Sequence, residues 1–125
     1  MPTYRDLEVY QEGYRLALEV QQLTLGFPAI ERYVLGEQMR RASKSIAANI
    51  AEGYGVQSGR NFAQYLGQAV GSCDEMQVHL DFAKDLGYLE EDRHGDVLDR
   101  YVVLGKRLYR LMEHQPARGS RPSGA

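Results

Sequence analysis

The run Leu35-Gly36-Glu37-Gln38-Met39-Arg40-Arg41-Ala42-Ser43-Lys44-Ser45-Ile46-Ala47-Ala48-Asn49-Ile50-Ala51-Glu52-Gly53 decides the fold. Placed at about 100° per residue, Leu35, Met39, Ala42, Ile46 and Ile50 fall on one narrow face. That spacing is an amphipathic helix, and the same test succeeds on both sides of it. Downstream, Phe62, Leu66, Ala69, Cys73, Met76, Leu80 and Ala83 form a second stripe. Val97, Tyr101, Leu104, Leu108 and Leu111 form a third. Upstream, Leu7, Tyr10, Tyr14, Ala17, Leu18 and Leu25 form a fourth. No alternating run is bounded by hairpin turn pairs, so no strand is expected.

Turn residues separate the stripes. Phe27-Pro28 closes the first segment, because the residue before proline disfavours helix. Gly53 and Gly87 are placed for left-handed C-caps. Thr3 with Asp6, Ser58 before Asn61, and Asp92 are the N-cap candidates. Four helices follow, at about 6–25, 31–52, 59–86 and 92–114. Each is about 30 Å long at 1.5 Å per residue. The expected fold is all-α: an antiparallel, up-down four-helix bundle spanning residues 1–114, with a disordered C-terminal tail at 115–125.

Composition bounds the rest. The 125 residues suit one domain, and 43% hydrophobic with 26% charged residues describes a folded chain. The lone Cys73 rules out an internal disulfide framework and a Cys-based zinc site. No apolar run approaches the roughly 18 residues of a membrane span. Met1 to Asp6 lacks the apolar core of a signal peptide, so a cytoplasmic location is expected. Fifteen Lys and Arg oppose seventeen Asp and Glu, a net charge of −2. From Gly105 onward, however, five basic residues and one acidic give +4, which leaves −6 on the preceding 104. Acid gathers at Glu90, Glu91, Asp92, Asp96 and Asp99. The chain is polarised although nearly neutral.

Two helices carry more apolar surface than a monomeric bundle uses. The first has a second row at Val9, Gly13, Leu16, Val20 and Leu23, and the third has one at Gly67, Gly71, Val78 and Phe82. Contiguous exposed apolar surface marks a partner site. A homo-oligomer is therefore expected, with Val9, Leu16, Val20, Leu23, Gly67, Gly71, Val78 and Phe82 at the subunit contact. The alternative is a wide core face in an irregular bundle.

The polar residues divide into two groups. Asn49 lies beside the second helix's stripe and needs a hydrogen-bond partner. Arg41 and Glu52 project from one flank of that stripe, and Ser72 and Glu75 from a comparable flank of the third helix. An Arg41–Glu75 bridge between helices is the structural reading and a ligand site the functional one. No convergent constellation favours the ligand. On the opposite side, Arg40 and Lys44 form a small basic patch, and Lys106, Arg107 and Arg110 form a second. Cations near a helix C-terminus complement its dipole, so the second patch reads either as capping or as a phosphate site. Tyr54 and Tyr109 have the chemistry to stack bases or to pack.

Catalytic motifs are absent. A di-iron bundle needs two Glu-x-x-His motifs on inward faces, whereas only Glu91-x-x-His94 exists. His79 and His114 are isolated, and Cys73 sits on a core stripe as a small hydrophobe. Tyr10, Tyr14, Tyr65 and Tyr101 are expected to face cores with their hydroxyls reaching outward. No enzyme, metal or cofactor is expected.

The pattern Phe27-Pro28-x-x-Glu31-x-Tyr33-x-Leu35-x-x-Gln38-x-Arg40-Arg41-Ala42-x-x-Ser45-Ile46-x-x-Asn49-Ile50-Ala51-Glu52-Gly53 is dense. Phe62-x-x-x-Leu66, Gly71-Ser72-x-x-Glu75 and Leu86-Gly87-Tyr88-Leu89 follow it. Over residues 4–114 the chain resembles the bacterial "four helix bundle protein" family of proteins encoded in intervening sequences of 23S rRNA genes. More distantly, it is similar to the accessory protein of diversity-generating retroelements. The resemblance implies a bundle assembled as a ring, typically a homopentamer. It places Arg41, Asn49, Glu52, Ser72 and Glu75 at family motif positions. The retroelement accessory protein binds nucleic acid, so a nucleic-acid-associated accessory or adaptor role is expected, with RNA or DNA as partner; the residues that would meet it are the basic ones read above, Arg40, Lys44, Lys106, Arg107 and Arg110. A scaffold that binds only protein is the alternative.

Overall fold

The computed structural model describes residues 1–56 and 58–115. The expected tail beyond Gln115 lies outside the described residues. Five α-helices follow a 3-10 turn at Tyr4–Asp6: α1 (Glu8–Leu25), the single-turn α2 (Ala29–Arg32), α3 (Leu35–Tyr54), α4 (Gly59–Asp85) and α5 (Glu91–Glu113). The second, third and fourth predicted helices are thus α3, α4 and α5. Among the described residues there is no strand.

The ends follow local chemistry. Thr3 and Asp6 do form a capping box, but around the 3-10 turn rather than α1. Ser58 Oγ accepts from the backbone N–H groups of Arg60 and Asn61 and starts α4. Glu90, not Asp92, occupies the N-cap of α5, without a side-chain cap bond. Gly87 turns the chain after α4 at φ 84°, a region that favours glycine. Gly53 departs from expectation, because it lies inside the last turn of α3. A Cβ there would sit 2.6 Å from Tyr65 Cβ and 2.9 Å from Phe62 Cδ1. Close approach of α4, not a left-handed turn, requires this glycine.

The long helices form a ring of neighbours: α3 packs on α1 and on α4, α4 packs on α5, and α5 lies more loosely against α1. Hence α1 and α4 occupy opposite corners. The core holds the predicted stripes of α3, α4 and α5, with Met39, Ile46, Ile50, Leu66, Met76, Leu80, Val97, Tyr101 and Leu108 fully buried.

The two faces of α1 are the reverse of the expectation. Val9, Leu16 and Val20 are core residues and Leu23 is half-buried, so these four do not form a subunit contact. Tyr14, Leu18 and Leu25, assigned to the core, are exposed instead; Leu18 is 56% accessible. The flanks explain the choice. With the valine row inward, Glu8, Glu12 and Glu19 lie along α5, where they meet arginines. Arg100 reaches Glu12 (3.4 Å), Glu19 (2.6 Å) and Asp96 (3.5 Å). Arg107 reaches Glu8 at 2.7 Å and Arg93 reaches Glu19 at 3.9 Å. Hydrogen bonding to Glu19 is the main cause that pushes the Arg100 guanidinium further up, so it is always charged.

Candidate nucleic-acid interface

Five cations were expected in two basic patches, and the fold breaks up both. Arg40 is turned inward: its guanidinium donates to Thr24 Oγ1 at 2.9 Å and to the Arg32 carbonyl at 2.8 Å. Gly36 makes this possible, since a Cβ there would lie 3.0 Å from Arg40 Nη1. Arg40 therefore ties α3 to α1 and the α2 turn, and is not free for phosphate. Arg107 is engaged with Glu8. Lys44 is exposed on α3, diagonally across the bundle from α5.

Lys106 and Arg110 remain together, one turn apart on α5 and both exposed. They edge a groove of about 420 Å³ between α4 and α5, whose apolar lining is Val70, Val102 and Tyr109. Beneath it Gly105 faces α4, and a Cβ there would be in ordinary contact with Cys73 Cβ at 3.5 Å. Asp74 and Glu113 share the groove, so its field is mixed rather than uniformly positive. Tyr109 is half exposed beside the two cations, while Tyr54 packs edge-on against Phe62 at 6.2 Å. Arg110 also borders a smaller hollow with Arg107, Leu111 and His114.

The polar motif positions serve the fold. The expected Arg41–Glu75 bridge is not formed: Glu75 pairs with His79 at 2.9 Å, and Arg41 is exposed with no ion-pair partner among the described residues. The reason is reach along one helix, because Glu75 and His79 stand one turn apart on α4. Asn49 Nδ2 donates to the Ser45 carbonyl at 2.9 Å. Ser45 Oγ donates to the Ala42 carbonyl at 2.7 Å, so its 2.7 Å contact with Ser72 has the Ser72 hydroxyl as donor. Glu52 accepts from the Tyr65 hydroxyl at 3.2 Å. The Ser45–Ser72 and Glu52–Tyr65 contacts join α3 to α4.

Burial pushes the Cys73 thiol up to about 12, with Asp74 adding to it. His94 contacts Asp81 at 2.8 Å and links α5 to α4. Tyr101 does not send its hydroxyl outward; it is fully buried and its Oη has no hydrogen-bond partner among the described residues. No helix among the described residues is long and apolar enough to cross a membrane.

Two opposite faces carry exposed apolar side chains. On α4, Gly71, Val78 and Phe82 are exposed and Gly67 is half-buried, in agreement with the second apolar row; Phe82 is 57% accessible. On α1, the exposed row is Tyr14, Leu18 and Leu25.

A sequence model of the 23S rRNA-intervening sequence protein matches residues 5–110. The chain belongs to that family. A solved structure from Bacteroides thetaiotaomicron, described as a protein of unknown function from the S23 ribosomal protein family, is similar in fold. Its TM-score is 0.78 at 21% identity, covering 84% of this chain and 95% of that one. No curated protein matches the chain. In this family member Asn49, Glu52, Ser72 and Glu75 are held in hydrogen bonds or ion pairs within the bundle, whereas Arg41 is exposed.

Proposed function

We propose that the chain is a non-enzymatic, ring-forming accessory protein that contacts RNA through the Lys106–Arg110 edge of each subunit. The observation that carries this is the pairing of two exposed cations, without ion-pair partners among the described residues, with a half-exposed Tyr109 on α5, in a member of a 23S rRNA-intervening sequence family. Assembly supplies what one subunit lacks. The apolar rows on α1 and α4 point from opposite corners of the bundle, so the α1 row of one copy meets the α4 row of the next. Such head-to-tail contact closes into a ring when the rotation permits. Five subunits is the number the family resemblance implies. A ring repeats a weak two-cation edge around its rim, and repetition raises avidity without new contacts.

The intact oligomer is expected to bind single-stranded RNA at about 50 mM salt and to release it steeply towards 200 mM. Lys106→Ala with Arg110→Ala should weaken binding by about tenfold or more while leaving the oligomeric mass unchanged. A protein-only scaffold is the second reading, favoured by the internal engagement of Arg40 and Arg107. Absence of RNA binding at about 50 mM salt selects it.

A further inference from the structure

The end of the bundle remote from Lys106 and Arg110 has a different character. The α2 turn and the link that follows it leave Ile30, Tyr33 and Val34 exposed within five residues. Ile30 and Tyr33 are each 76% accessible, the most exposed large apolar side chains after Met1. The turn is not loose. Phe27 packs on Tyr88 with ring centroids 5.6 Å apart, and the Tyr88 hydroxyl donates to Glu31 at 2.8 Å. These contacts seat the α2 turn against the α4–α5 turn, beside the exposed Leu86. An anchored element presenting apolar side chains to solvent is a recognition surface rather than a frayed loop.

Its surroundings are acidic. Glu37, Asp85, Glu90, Glu91 and Asp92 are all exposed at this end. Two cations there face acids, Lys84 at 3.9 Å from Asp85 and Arg93 at 3.9 Å from Glu19, while Arg32, whose Nε donates to the Phe27 carbonyl at 3.2 Å, and the exposed Arg41 are outnumbered by the carboxylates. Such a rim repels a phosphate backbone and attracts positive charge.

We infer that the α2 end is a docking surface for a basic, amphipathic segment of another protein. Its apolar side chains would cover Ile30, Tyr33 and Val34, while its Lys or Arg residues meet the acidic rim. The assembly would then offer opposite ends to two kinds of partner.

The test uses the full-length oligomer and a fluorescent amphipathic helical peptide of leucine and lysine. A leucine–glutamate peptide and a serine–lysine peptide are the controls. The leucine–lysine peptide should bind best and should slow amide hydrogen exchange in residues of α2 and of the α4–α5 turn. Ile30→Ser with Tyr33→Ser should weaken it by about tenfold, and Glu90→Gln with Glu91→Gln by several-fold. All four positions are exposed, so the fold should tolerate these changes. Equal binding by both variants, or protection confined to other helices, would overturn the inference. So would a drop in sedimenting mass for Ile30→Ser with Tyr33→Ser, because the patch would then be covered by a second copy.

Discussion

The α3–α4 contact and the α1–α5 contact bury the same kind of helix by different means. Between α3 and α4, small residues let the backbones close: Gly53 touches Tyr65, and Ser45 meets Ser72 at 2.7 Å. Between α1 and α5 the helices stand further apart, and arginines fill the gap. Arg93, Arg100 and Arg107 recur every seven residues and meet Glu19, Glu12 and Glu8 in antiparallel order. The first contact depends on volume and should ignore salt. The second depends on charge and should not.

The largest expected effect lies on the tight side. Gly53→Ala should destabilise the protein by about 2–3 kcal/mol, because Tyr65 Cβ is fixed to its own backbone and has no room to move. Thermal unfolding would show it, equally at low and high salt. An unchanged melting temperature would mean that α3 and α4 separate more easily than their packing indicates.

Arg100→Ala attacks the loose side. Arg100 is 30% exposed, so its three ion pairs are partly screened and a loss of about 1–2 kcal/mol is expected. The loss should shrink markedly in about 1 M salt. A salt-independent loss would reassign the residue to apolar packing.

Tyr101 lies beneath that seam and contributes in the opposite direction. Its buried hydroxyl lacks a partner among the described residues, so Tyr101→Phe should stabilise by about 1 kcal/mol. A lower melting temperature in that variant would reveal a partner for the hydroxyl. The smallest effect is alkaline. The Glu52 charge beside Tyr65 and the hydrogen bond to Glu31 from Tyr88 hold both phenols above their ordinary 10.0. Stability from these pairs is complete below that value and is lost as pH rises through the folded one. Replacing both tyrosines by phenylalanine should therefore flatten the decline in melting temperature above about pH 10.

Three of the four core stripes were legible because α3 and α5 each offer one apolar face and the long continuous stripe of α4 outweighs its sparser second row of Gly67, Gly71, Val78 and Phe82. The α1 faces were not, since both rows have similar width and period. The deciding information is long-range: Glu12 and Glu19 match Arg100 only when the valine row faces inward. The spacing of seven between Arg93, Arg100 and Arg107 is the signal that identifies the partner helix. Gly53 was recognised as special for the wrong reason, since helix contact and turn geometry both select glycine. The basic surface was legible only as composition. Whether Arg40 is free depends on Thr24 and the Arg32 carbonyl, brought near by the α2 turn.

Mixing two interface variants tests head-to-tail assembly most directly. Leu18→Glu spoils only the α1 row and Phe82→Glu only the α4 row, so each should sediment as a monomer. An equimolar mixture should give a dimer with one chain of each, because a single intact contact remains between them. Wild-type protein that sediments as a monomer, or a mixture that stays monomeric, would contradict the ring.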